Sequence, residues 1–268
     1  MTSTRLSRQE CAVTVLGGPT AVIDMGGLRI VSDPTFDEPG PQGYLTKTAG
    51  PAVSASALGP VDLVLVSHDL HPDNFDKRGR AFAETAPLVL TGPLSAARLG
   101  QPAIGLSPWT SHSLLRRDGG GELTVLAVPA VHGPEDGERD ADGYVNCEVT
   151  GFVLSGPGLP TVYVSGDNAS IRTVTEVSRR VPDISAALLH AGAARVPAKF
   201  EGRPLSMDSR RAAAAAAVLD ADIVVPAHYD GWTHFSEGLA DLELAFHEAG
   251  LSSLLRTATH GSWVTLRP

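Results

Sequence analysis

Short apolar runs rich in Val, Ile, Leu and Ala recur along the whole chain, each closed off by Gly, Pro, Asp or Ser. Their length and punctuation predict strands. The first three, 12–16, 20–24 and 28–32, are separated by Gly17-Gly18-Pro19 and Met25-Gly26-Gly27, turn-forming sequences that predict an antiparallel meander. Further strands are expected at 61–67, 87–91, 123–131, 151–155, 161–165, 186–190, 222–227 and 263–266. Helical patterns fall at 94–99, 169–180, 209–219 with Ser206 or Asp208 as cap, and 239–249. Strands in blocks, with helices inserted between the later ones, predict an α/β fold of two packed sheets with helices outside them. The alanines of 212–217 suit a helix lying close against a sheet. Segments 35–56 and 133–145 read as long loops able to rim a pocket, the second being acidic and more readily a solvated surface insertion.

Composition narrows the picture. The 268 residues are 43% hydrophobic and 19% charged, enough apolar side chain for a large core and too little charge for disorder. A single domain over 1–268 is expected, since α/β units of this length often form one body. Twenty-one basic against 30 acidic side chains leave a net charge of −9, with no cluster of Lys and Arg. A phosphate backbone is repelled by such a balance, so nucleic acid is not an expected partner. No run approaches the ~20 apolar residues that span a bilayer, and residues 1–8 lack the apolar core of an export signal. A cytoplasmic protein without a membrane partner is expected, and a homo-oligomer is compatible with the composition. Cys11 and Cys147 are too far apart in sequence for a zinc knuckle or redox pair. Beside Glu148, in acidic surroundings that raise a thiol pKa, Cys147 is not expected to be a nucleophile.

The chemistry concentrates where apolar runs stop. One ends in His68-Asp69-Leu70-His71-Pro72-Asp73-Asn74; others end in His132, Asp167, His190 and His228. In layered α/β folds, strand ends on one edge converge on a site, so distant runs can deliver ligands to one point. Imidazole and carboxylate are the donors that zinc, iron and manganese accept. A lone histidine is more often a surface or hydrogen-bonded residue; the repetition at five strand ends is what points to a metal. His112, His247 and His260 lack that context and read as surface or capping residues. There is no Gly-x-Ser-x-Gly elbow, phosphate loop or dinucleotide fingerprint.

In order and spacing, the strand 20–24, the turn Ser32-Asp33-Pro34, the segment 67–76, Ala130-Val131-His132, Ser165-Gly166-Asp167 and Pro226-Ala227-His228-Tyr229 resemble the metallo-β-lactamase-fold hydrolases, most closely their ascorbate-6-phosphate lactonase-like branch. The resemblance covers nearly the whole chain. It implies a four-layer αββα sandwich with one or two divalent metals at the rim of the sheets, zinc foremost and manganese or iron next. The family pattern is His-x-His-x-Asp-His. With His71 and Asp73 in the second-His and Asp places, Asp69 falls where the first His belongs and Asn74 where the last does; with a bulge of one residue, His68 takes the first place. An Asn amide oxygen is a poorer ligand than imidazole, so a single metal stands beside the two-metal alternative. By the same resemblance His132 is the third histidine, Asp167 the bridging aspartate and His228 the last histidine.

What the resemblance implies for mechanism is ordinary metal chemistry: a bound cation lowers the pKa of water from 15.7 toward about 7 and polarises the bond to be cut. Asp73 then orients that water or shuttles its proton, and Asp167 bridges if two metals bind. Asn168, His190, Tyr229, Trp232 and His234 adjoin the presumed ligands and are candidates for the substrate pocket, with Tyr229 and Trp232 as an apolar wall; core packing is an equal reading for Trp232. The expected function is hydrolysis of a small-molecule lactone, ester, amide or phosphoester. The departures in 68–74 motivate an alternative, a binding module or non-hydrolytic biosynthetic enzyme on the same fold. The acidic balance disfavours a nuclease.

Overall fold

A computed structural model describes residues 5–267; the sequence expectation that touches residues 1–4 lies outside them. The opening runs form the antiparallel meander β1 (Cys11–Gly17), β2 (Thr20–Met25) and β3 (Leu28–Ser32). The chain continues through a hairpin, β4 (Gly40–Gln42) and β5 (Leu45–Lys47), then β6 (Leu63–Leu65), α1 (Lys77–Glu84), β7 (Val89–Thr91), α2 (Pro93–Leu99) and β8 (Ala103–Gly105). The second half comprises β9 (Ser111–Leu115), β10 (Glu122–Pro129), β11 (Thr150–Ser155), β12 (Thr161–Val164), α3 (Ile171–Arg180), β13 (Ile184–His190), α4 (Ser209–Leu219), β14 (Ile223–Ala227) and α5 (Leu239–Glu248), and β15 (Val264–Thr265) returns beside β1. Two large sheets result, ordered β15-β1-β2-β3-β6-β7-β8 and β14-β13-β12-β11-β10-β9.

Alternation along the strands builds the layers, because successive side chains leave opposite faces of a sheet. Ile23, Ile30, Leu63 and Leu65 meet Leu123, Val125, Phe152 and Leu188 between the sheets. Their neighbours Val22, Val31, Val64 and Val66 face outward, under Phe36, Leu58, Phe75 and Ala83 of α1. On the far side Val153, Tyr163 and Leu189 are covered by Val174 and Val177 of α3, the alanines of α4, and Phe246 of α5. Each fully buried aliphatic side chain is worth about 1.5–3 kcal/mol, so the three apolar seams supply the drive for the layering. This is the mixed α/β sandwich with outer helices expected from the sequence. No helix among the described residues is long and apolar enough to cross a membrane.

Five of these elements lie outside the sequence expectation. The segment 35–56 carries the β4–β5 hairpin, and α1, β8 and β9 are additional. Helix α1 is short, with Ala81, Phe82 and Ala83 as its apolar residues, and Gly79 weakens an otherwise helix-favouring run. It forms because the Asp76 carboxylate accepts the Gly79 amide at 2.8 Å and Phe82 packs edge-on against Phe36. Strand β9 is an edge strand with little burial and a polar face.

Asp76 does more than cap. It is buried, and it also accepts the amides of Phe36 (2.9 Å) and Asp37 (2.7 Å) and pairs with the buried Lys47 ammonium at 3.0 Å. Lys47 donates to the Thr35 carbonyl and lies 5.6 Å from the Trp232 ring, while Thr48 and Thr233 bond the backbone across to 231 and 46. One carboxylate therefore joins the loop after β3, the hairpin, α1 and, through Lys47, the segment 228–234. Removing one partner of a buried ion pair leaves the other charge uncompensated, at a cost of about 3–5 kcal/mol. Asp76→Ala is expected to lose that much stability, read as a lowered denaturant midpoint, with Asp76→Asn losing less; an unchanged midpoint would remove the pair from this role.

Candidate metal centre

Strand direction assembles the site. β12, β13 and β14 run parallel, so Asp167, His190 and His228 leave one edge of the second sheet. β10 and β11 pair antiparallel with Pro129 opposite Thr150, which brings His132, just past the end of β10, and Cys147, just before β11, to the same edge. In the first sheet β3 and β6 run parallel, and the Ser67 amide donates to Asp33 Oδ1 at 2.7 Å. The Thr150 amide donates to the Ser67 carbonyl at 2.9 Å and couples the two sheets at that rim. Gly166 (φ +54) makes the turn into Asp167, and a Cβ there would meet Ser67 at 2.7 Å, so only glycine fits. His228 itself adopts φ +58, a costly conformation for a residue with a side chain. It is held by its amide, which donates to the Gly18 carbonyl at 2.7 Å.

Three imidazoles converge on one point. His68 Nε2 lies 2.9 Å from His71 Nδ1, and His132 Nε2 lies 3.0 Å from the same atom. His132 Nδ1 is 2.8 Å from the Leu205 carbonyl, which accepts its proton and leaves Nε2 bare. All three rings are buried. Tetrahedral zinc with Zn–N of about 2.0–2.1 Å places its nitrogen donors about 3.3 Å apart, close to these separations. The donor set fits a divalent cation. Burial holds the imidazoles in the neutral, ligating form: His71 is lowered to about 3, and His68 and His132 shift the same way.

A second cluster adjoins the first. Asp73 Oδ2 is 2.8 Å from His234 Nε2 and 3.4 Å from His228 Nε2; Asp167 Oδ1 is 2.9 Å from His190 Nδ1 and 3.5 Å from His228 Nε2. Asp73 Oδ1 and Asp167 Oδ2 are buried with no hydrogen-bond partner among the described residues, a condition that suits carboxylate oxygens facing a cation. Burial alone would raise both aspartates; bonds from His228 and His234 for Asp73, and the His228 charge with the His190 bond for Asp167, more than offset it and hold both low. Burial lowers His228, but Asp167 and Asp73 outweigh it and raise the ring above its ordinary value. Asn74 sits between: its Oδ1 is 3.2 Å from His228 Nε2, and its amide nitrogen donates to Asp167 Oδ1 at 3.3 Å. Beneath the cluster, burial together with the nearby Asp167 raises Asp33 to about 7, opposed by the Ser67 amide.

The model of the beta-lactamase superfamily domain matches residues 28–229. The chain belongs to that superfamily. It is 31% identical, over 64% of its length and 69% of the relative's, to a UPF0173 metal-dependent hydrolase of Methanosphaerula palustris, which places it in the UPF0173 metal-dependent hydrolase family. Among solved structures it superposes on the isothiocyanate hydrolase from Delia radicum gut bacteria, with a TM-score of 0.79 at 19% identity over 96% of this chain and 99% of that one. A structure described as a possible metal-dependent hydrolase, from Veillonella parvula, gives the same TM-score at 16% identity, covering 96% and 100%. Those two likenesses concern the fold.

Against the superfamily pattern, the first-ligand alternatives separate. The loop bulges so that His68 faces the cluster, whereas Asp69 turns outward, bound by Arg98 at 2.6 Å and near Arg80 at 3.8 Å. Asp69, the other first-ligand candidate, is placed in ion pairs with these two guanidiniums. Of the candidates for substrate contact, His190 is fully buried, bonded to Asp167 and stacked on His228 at 5.0 Å; Asn168 is fully buried and accepts the Val131 and Ser170 amides. Tyr229 turns away, its hydroxyl 3.4 Å from His260. Trp232 is buried against Gly18 and Lys47, the packing alternative, while His234 reaches Asp73.

Residues not foreseen include Lys199, whose ammonium donates to Asn146 Oδ1 at 2.7 Å and lies 3.4 Å from His71 Nε2 at the edge of the cluster, and Cys147, whose sulfur lies within 4.8 Å of the ligand atoms of His68, His71 and His132. The rise in the Cys147 thiol pKa comes first from burial and then from Asp167. Glu148 faces away and accepts the Leu94 and Ser95 amides at 3.0 Å. No local sequence signal marks either residue, since neither follows a strand.

Unfolded His71 takes up a proton below its ordinary 6.5 and the folded ring not until about 3, so the unfolded state holds the extra proton between those values. Stability then falls as pH falls through that window, by about 1.4 kcal/mol per pH unit for each such histidine. In metal-stripped protein, His71→Leu is expected to flatten the acid limb of the urea midpoint between about pH 6 and pH 4 relative to wild type. Equal slopes would show that His71 does not titrate as its burial demands.

Proposed function

We propose that this chain is a metal-dependent hydrolase of the superfamily, acting on a small-molecule lactone, ester, amide or phosphoester, with the lactonase-like branch as the model for its substrates. The observation that supports this reading is the meeting of three imidazole nitrogens in contacts of 2.9 and 3.0 Å, next to two buried carboxylates with oxygens lacking a hydrogen-bond partner among the described residues. His68, His71 and His132 would hold one cation; Asp73, Asp167 and His228 would hold a second or, with a single cation, orient the reacting groups beside it. When bound, such a cation supplies Lewis acidity and lowers the pKa of water toward about 7. Zinc suits the imidazole-rich side, and manganese or iron the carboxylate side.

The chain's own residues divide the remaining work. Asp73, ionised and held by His234, is the group to orient a water molecule and take its proton. His190 fixes Asp167, and Leu205 fixes the His132 tautomer, so the donors keep their aim without substrate. Lys199, between Asn146 and the cluster, offers positive charge to an oxyanion developing at the scissile group. Asn74 spends both ends of its amide on His228 and Asp167, which favours a weaker second cation.

Purified protein is expected to carry between one and two equivalents of a transition metal, with the more tightly held equivalent lost in His71→Ala, measured by elemental analysis after dialysis. On a lactone and phosphodiester reporter panel, Asp73→Ala is expected to lower kcat by about 100- to 10,000-fold. Wild-type protein that binds no metal would overturn the hydrolase reading in favour of a binding module.

A further inference from the structure

The three-histidine cluster has a fourth neighbour that the hydrolase reading leaves unused. Cys147 is buried, and its sulfur lies within 4.8 Å of the ligand atoms of all three histidines. The flanks of the residue fix it there. Asn146 takes a left-handed conformation (φ +64) and accepts from the Lys199 ammonium. The Cys147 amide donates to the Val145 carbonyl at 2.8 Å and so tightens the turn into the pocket. Glu148 is pinned outward by the amides at the start of α2, and Thr150 is bonded to Ser67. With its neighbours directed outward on the one side and held at the sheet rim on the other, the thiol is the group this segment presents to the histidines.

We infer that Cys147 is the fourth protein ligand of the cation held by His68, His71 and His132, closing an N3S site. This rests on the metal-dependent reading above and deepens it. Binding breaks the Cys147 S–H bond: the sulfur keeps the electron pair and donates it to the cation, and the proton is released to solvent. Nitrogen and thiolate donors of this kind suit zinc or cobalt, and their preferred polyhedron is a tetrahedron. Four protein donors would then hold this cation, next to the carboxylates of Asp73 and Asp167. The loop ending at Cys147 would thereby be tied to the cation.

Cobalt(II) reports the ligand directly. Metal-stripped protein titrated with Co(II) is expected to show tetrahedral d–d bands together with an intense thiolate-to-cobalt charge-transfer band in the near ultraviolet. Cys147→Ser should lose the charge-transfer band, keep weaker d–d bands and bind at least about tenfold less tightly. Cys11→Ser, on β1, should keep both. Should Cys147→Ser fail to fold, zinc-edge X-ray absorption of the wild type decides alone, through a sulfur shell at about 2.3 Å. Cobalt bound at the histidines, as judged by loss of binding in His68→Ala, with no sulfur band or shell would overturn the Cys147 assignment and leave the hydrolase reading standing. Absence of any cobalt binding would overturn both.

Discussion

The structure is organised around a group of donors that the protein interior cannot satisfy. Imidazole nitrogens of His68, His71 and His132 crowd together where at most one proton can be shared between any two, and Asp73 Oδ1 and Asp167 Oδ2 are buried with no hydrogen-bond partner among the described residues. Unpaired polar atoms in a dry site are costly, and unpaired carboxylates more so. A fold that retains such an arrangement must hold it by force elsewhere, and divalent cations are partners able to satisfy imidazole nitrogens and carboxylate oxygens of this kind.

That holding is distributed over the scaffold. The apolar seam between the two sheets fixes their relative position, and the bond from Thr150 to Ser67 fixes the rim where they meet. Local strain is tolerated at His228, whose left-handed backbone is tied to Gly18 of the opposite sheet. The Asp76–Lys47 pair gathers the loop after β3, the hairpin and the segment 228–234 into one unit. Positioning of this kind lets the site keep its geometry without substrate, which is the condition for electrostatic preorganisation.

The two halves of the centre differ in chemical hardness. One side offers nitrogen and sulfur, the other carboxylate oxygen, an amide and a single imidazole. Softer cations prefer the first and harder ones the second, so the two positions need not carry the same metal or bind it with the same affinity. Membership of the superfamily does not choose the substrate, because the fold hosts many reactions and the rim loops shape the pocket. Around this centre those loops bring Tyr44, Leu70 and Lys199, exposed or half-buried groups outside the ligand set.

Much of the architecture was legible in the chain because strand periodicity and Gly-rich turns act locally: the meander β1–β3, the parallel strands and the capped helix α4 fall where the pattern places them. Helix α1 was not, because its cap and its Phe82–Phe36 contact come from side chains that meet only in the fold. In the candidate centre, strand-end residues announced themselves by repetition, which is a sequence property. Which of His68 and Asp69 faces inward could not be read, since that depends on Arg98 reaching across from α2. The same holds for Cys147, which is brought to the histidines by the antiparallel pairing of β10 and β11. Sequence by itself determined the kinds of donor and the layered fold that carries them; the tertiary structure alone decided which donors share a point in space, because long-range pairing and competing charges set side-chain direction.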